Sequence, residues 1–349
     1  MASDDLLIER LLRVIDEGRR TATYKLALLL ALIDTIATHP GTDELPTRVL
    51  AERVLELYYP QIRPYVDRGG RAYSLSQISM KTSGVITAVS ALRTVGDARR
   101  CRSLEHVRVA APDEYSQALD AVENTFVRYP IPLMQVVGGA EVPFLYAIDW
   151  KEGTSPTTLR RDGRDRVRLL EGVADRLVVL GPMLRPLIEL HWARDVARWT
   201  RLEMEDGDLR QHLFGSERAT FPRSLVGALA DLQQHECFYC GDRLGPRREV
   251  DHFIAWSRWP NDAVENLVLA DRCNSYKSDH LAASEHLVRW RTRLASRAVE
   301  LAEAATTCGL ITNRDRTWAL AHTTYSHVAP GTPLWLRGGD FELATGSMV

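Results

Sequence analysis

Between His235 and His280 the chain sets two cysteines, an Asp-His pair, two asparagines, a third cysteine and a lysine at separations that only a small, tightly turned unit brings together. Cys237 and Cys240 flank Phe238-Tyr239 ahead of Gly241, the spacing at which two thiolates reach one metal. Val250 to Ile254 follows and is strand-like in composition. A Trp/Pro/Asn-rich turn from Trp256 to Asp262 then leads to a second strand-like piece, Glu265 to Leu269. Cys273-Asn274-Ser275-Tyr276-Lys277 opens an expected helix that runs through His286. The order is strand, loop, strand, helix.

A hairpin packed on a helix sets Asp251 and His252 beside Asn274, with room for a phosphate between them. Phosphodiester hydrolysis needs an aligned water, a base for its proton, and positive charge on the phosphate and the leaving oxygen. Histidine titrates near neutrality, which makes His252 the candidate base. Asp251 and the amide oxygen of Asn274 are oxygen ligands suited to a hard cation such as Mg²⁺.

The block resembles the HNH endonuclease motif, the ββα-metal nuclease fold. The resemblance rests on Asp251-His252, Asn266 fourteen residues on, Asn274 eight beyond that and Lys277 three later, and it covers about 50 of the 349 residues. It implies His252 as general base, Asp251 and Asn274 as ligands of a catalytic Mg²⁺ or Mn²⁺, Asn266 as the residue that fixes the loop and so orients His252, and Lys277 as a phosphate contact. By family analogy it also implies DNA cleavage in bacterial restriction or phage defence, with RNA an open alternative substrate. The reading from another class is a non-catalytic nucleic-acid-binding protein that keeps the scaffold. The sequence departs from the family in one respect. Many HNH proteins carry a second C-x2-C before the helix that closes a structural zinc site, but here the position three before Cys273 is Ala270. Cys237, Cys240 and Cys273 are therefore the obvious Zn²⁺ ligands. The fourth comes from His235, His280 or elsewhere, or the thiols simply pack without metal.

The rest of the chain reads as mainly α, giving a fold class of helical N-terminal and middle regions, a small α+β unit and a helical C-terminal cap. The expected segments are 1–110, 111–232, the nuclease-like unit 233–290 and 291–349. Leu26 to Ile33 is apolar without interruption but stops at Asp34, far short of the ~20 residues that cross a bilayer. With no signal-like start and an odd number of cysteines, five, the expectation is a cytoplasmic protein without a disulfide framework. Within 111–232, Asp165 to Leu180 and Leu184 to Leu202 read as two antiparallel helices joined at Gly181-Pro182.

Net charge is −2, which gives no overall pull toward nucleic acid. Residues 61–110 nevertheless hold nine basic residues against three acidic ones, and Arg68, Arg71, Arg99 and Arg100 are candidate phosphate contacts; a solvated helix face is the alternative. A helix is expected from about Ser74 to Arg93. A second arginine-bearing helix, Leu287 to Ala304 with Arg289, Arg291, Arg293 and Arg297, is either a backbone-binding face or a solvated one.

Overall fold

The computed structural model describes the chain apart from residues 1, 17–19, 80–82, 102, 138–139, 142, 203–205, 216–220, 347 and 349. Lys81 and Arg102 of the basic segment lie outside the described residues. The fold is mainly helical with small antiparallel sheets. It divides into two compact units, residues 1–36 with 41–215 and residues 37–40 with 216–349. No helix among the described residues is long and apolar enough to cross a membrane.

The first unit holds α1 (Ala2–Ile15), α2 (Tyr24–Thr38), α3 (Thr47–Tyr58), α4 (Gly84–Ala98), α5 (Leu104–Ala110), α6 (Pro112–Arg128), α7 (Pro130–Leu133), α8 (Pro156–Arg161), α9 (Val173–Thr200) and α10 (Asp206–Phe214). Its strands are β1 (Glu44–Pro46), β2 (Tyr65–Val66), β3 (Ala72–Tyr73), β4 (Val136–Val137), β5 (Ala140–Glu141), β6 (Tyr146–Ala147) and β7 (Arg166–Leu169). Every residue from Leu26 to Ile33 is fully buried, as expected of a helix apolar on all faces. Asp34 ends that run inside the protein. Its carboxylate accepts from Arg53 (Nε 2.7 Å) and from Arg185, and two guanidiniums offset the cost of burying it.

Three expectations change here. Residues 166–169 form β7, the middle strand of the order β1-β7-β6, rather than part of a helix. No break falls at Gly181-Pro182, because α9 runs unbroken through Pro182 and Pro186. A proline in a helix interior removes a hydrogen bond and crowds the preceding turn. Here tertiary packing holds the helix together: Leu184, Ile188, Trp192 and Val196 line its buried stripe, and Trp192 Nε1 donates to Gln77 Oε1 at 2.7 Å. Lastly, the helix expected from Ser74 starts at Gly84, where the Ser83 hydroxyl accepts from Ile86 N–H at 3.3 Å; the β2–β3 hairpin ends at Tyr73.

The second unit contains α11 (Arg223–Leu232), β8 (Glu249–His252), β9 (Leu267–Ala270), α12 (Arg272–Lys277), α13 (Ser284–Ser296), α14 (Ala298–Cys308), α15 (Arg314–Ser326), β10 (Pro333–Arg337) and β11 (Asp340–Leu343). β8 and β9 pair antiparallel, Asp251 opposite Val268 and His252 opposite Leu267. All four residues of β9 are buried, so the hairpin is covered on both faces. Phe253 stacks on Trp290 with ring centroids 4.8 Å apart, fixing α13 against the hairpin.

The helix opened at Cys273 stops at Lys277 and does not run through His286. The C-terminal cap is helical only as far as α15 and ends in the β10–β11 hairpin. Of the arginines after Leu287, Arg289, Arg291 and Arg297 are exposed and Arg293 is buried. Arg289 donates to the carbonyls of Phe238 and Tyr239, Arg291 lies over the Trp318 ring, Arg293 is buried and donates to Leu267 O, and Arg297 pairs with Glu300.

Candidate active site

β8, the loop 253–262 and α12 carry the residues singled out by spacing. Asn266 sits at the end of a single 3₁₀ turn, Val264–Asn266, and is fully buried. Its Oδ1 accepts from Ile254 N–H at 2.8 Å, while its Nδ2 donates to Ile254 O at 3.1 Å and to Asn261 O at 3.0 Å. One amide thus ties both ends of the loop together. Asn261 is held further by donation to Thr317 Oγ1 and by accepting from Ala263 N–H. The next residue, Asp262, points back at His252, with 2.7 Å between Asp262 Oδ1 and His252 Nε2.

An ionised carboxylate only accepts, so Nε2 of His252 is the donor of this bond. His252 is 4 % exposed and lies between Phe221 and Trp256, whose rings are centred 5.8 Å and 5.5 Å away. Asp262 was not legible as a partner: an aspartate in a turn is ordinary, and only the folded loop brings it back ten residues.

Asp251, two residues along β8 from Glu249, shares its side of the strand. Its Oδ2 accepts from Tyr239 OH at 2.5 Å and pairs with Lys277 Nζ at 3.1 Å. Lys277 is fully buried and also donates to His252 O at 2.9 Å. This corrects its reading as a phosphate contact, since an ammonium with no exposed surface ties α12 to β8 and does not meet a ligand in solvent. Asn274 lies one turn earlier on α12, and its Nδ2 donates to Glu249 Oε2 at 2.7 Å. Asn274 and Glu249 are thus brought together, and Asp251 lies on the same side of β8 as Glu249; Glu249 was missed by sequence reasoning although its position on the strand is the available signal. These oxygen donors suit a hard divalent cation, and both the hydrogen bond from Tyr239 and the ion pair with Lys277 fall on Oδ2 of Asp251. The His252 ring is paired with Asp262.

α12 ends in a turn from Lys277 to His280, closed by His280 N–H to Lys277 O at 2.9 Å. Ser278 takes φ 47° and ψ −128° there, the first central position of a type II′ turn, which glycine occupies without strain. Ser278→Gly should therefore raise the unfolding free energy by about 1 kcal/mol, strain relief exceeding the added freedom of the unfolded chain. A urea midpoint that falls would reject this.

The thiols of Cys237, Cys240 and Cys273 lie within 4.8 Å of one another. The Cys237 thiol is drawn down to about 5, chiefly by its hydrogen bond with Cys273 and then by backbone N–H groups of Cys240, Asp271 and Tyr239, against burial, which pushes it up. The same bond pushes Cys273 up. Neither histidine considered as a fourth ligand joins them. His235 stands beside Asp231 at 3.4 Å, and His280 meets the Phe341 ring edge-on at 4.9 Å.

The candidate phosphate contacts of the first unit fall on two elements. Arg68 and Arg71 belong to the β2–β3 hairpin, where Arg68 pairs with Asp208 at 2.9 Å and Arg71 lies over the Tyr73 ring. Arg99 and Arg100 follow α4. Arg99 is engaged by Ala110 O and Glu114, while Arg100 is exposed.

No curated protein and no solved structure matches the chain. One family does match, described as a domain of unknown function, DUF8808, over residues 5–213. That stretch stops before the paired strands and short helix of the candidate site. It is more than half of the sequence, and the chain belongs to the DUF8808 family.

Proposed function

We propose that this protein is a metal-dependent HNH endonuclease that hydrolyses phosphodiester bonds in DNA. The observation that carries the reading is the hydrogen-bonded pair His252–Asp262, held on a loop whose ends Asn266 joins. With Nε2 engaged by Asp262, Nδ1 would be the nitrogen to accept a proton from water, as general-base catalysis requires. Asp251, Asn274 and Glu249 would hold the cation, which when bound supplies positive charge to the phosphate and the leaving oxygen. Phe221 and Trp256 wall the imidazole and limit how water approaches it.

The pairing of Lys277 with Asp251 favours the second reading, a nucleic-acid-binding scaffold without catalysis, because it already engages one oxygen of the ligand carboxylate. Cleavage separates the two. Supercoiled plasmid incubated with the full chain should be nicked or linearised with Mg²⁺ or Mn²⁺ and left intact with EDTA. DNA that is bound but uncut with either cation would reject the endonuclease. An RNA of similar length, run alongside, tests the substrate class.

A further inference from the structure

We propose that Cys237, Cys240 and Cys273 bind a soft divalent cation, zinc foremost, through three sulfurs, and that its fourth coordination position is filled from solvent and accepts a small thiol. The sulfurs all lie within 4.8 Å of one another, and metal–sulfur bonds of about 2.3 Å in a tetrahedron bring them to a common centre with little movement. The turn is built for this. Gly241 N–H donates to Cys237 O at 3.0 Å with Gly241 at φ 76°, a left-handed backbone that glycine tolerates. Cys237 N–H in turn donates to Asp242 O at 2.8 Å.

A closed structural zinc site has four protein ligands. Among the described residues no fourth His, Cys, Asp or Glu joins this group. His235 and His280 are engaged elsewhere, and the Asp271 carboxylate accepts from Gly245 N–H at 3.3 Å. Ala270, three residues before Cys273, offers only a buried methyl group. Cys240 is exposed, so water reaches the cluster. With three sulfurs from the described residues, the fourth position would fall to water, and a soft cation prefers sulfur to oxygen. A small thiol therefore exchanges with it: the thiol releases its proton to solvent, its sulfur bonds to the metal, and the water leaves.

The test loads the full chain with Co²⁺ under anaerobic conditions and reads the sulfur-to-cobalt charge-transfer band, whose intensity follows the number of thiolate bonds. Wild type should show a three-thiolate band that rises by about one third when 2-mercaptoethanol is added, one sulfur joining three. Ala270→Cys should show the higher band with no added thiol and no response to it. Cys240→Ser, which leaves the buried Ala270 site untouched, should start at the two-thiolate level. A wild-type band that ignores added thiol, a four-thiolate band without it, or failure to bind cobalt stoichiometrically would each overturn the proposal. All of these readings are spectroscopic, so they stand apart from whether the protein cuts DNA.

Discussion

His252→Ala should lower plasmid cleavage by about 10²–10⁴-fold, the loss that follows removal of a general base, while DNA binding stays nearly unchanged. The imidazole is neutral when it serves as base, and its polar contact is to Asp262, so its removal takes no positive charge from the surface that meets phosphate. Fold should survive, because the loop is held by Asn266 rather than by the ring. Cleavage rates measured with saturating Mg²⁺ beside a filter-binding or mobility-shift assay separate chemistry from affinity. Equal rates in variant and wild type would remove His252 from the mechanism, and a parallel collapse of binding would assign it to substrate contact.

Lys277→Ala carries the largest expected effect on stability, about 3–5 kcal/mol of destabilisation. The substitution leaves the Asp251 carboxylate, 8 % exposed, without its counter-charge, removes the donor to His252 O, and opens a cavity where a fully buried side chain stood. Urea unfolding of the single variants Lys277→Ala and Asp251→Ala and of the double variant gives the coupling directly. The double variant should be less destabilised than the sum of the two singles, since each single strands the other's charge. A loss below about 1 kcal/mol for Lys277→Ala, the range of an exposed lysine, would show that Nζ reaches solvent and restore the phosphate-contact reading.

These two residues mark how far the sequence could be read. Spacing alone located β8, β9 and the start of α12, because strand-forming residues between turn residues leave few alternatives over so short a stretch. The role of Asn266 in fixing the loop comes from the resemblance, not from spacing. Spacing did not reveal that Lys277 faces inward, since the same three-residue offset on a helix serves either an exposed or a buried lysine, and the burial depends on Tyr239, far back in the chain. Asp262 and Glu249 were hidden for a related reason: each acquires its meaning from a partner that only the folded loop or the α12–β8 contact supplies. In the first unit Gly181-Pro182 reads as a break because local preference opposes a helix there, and the packing of Trp192, Ile188 and Leu184 that overrides it is not written locally.

The segment just after α12 depends on residues made much later. Trp335 N–H donates to Leu281 O, Ala283 N–H to Trp335 O, and His286 Nε2 meets Leu336 O at 2.7 Å. Tyr325 OH adds a bond to Ala282 O. A chain emerging from the ribosome therefore presents the strand–loop–strand–helix stretch well before the hairpin that secures its exit, and folding during synthesis proceeds with what has already emerged. Residues 281–286 must wait, their backbone groups served by water, until synthesis has passed Leu336. The order of manufacture thus places completion of the second unit late in translation, so that a chain halted before Trp335 would carry every residue of the candidate site without the support behind it.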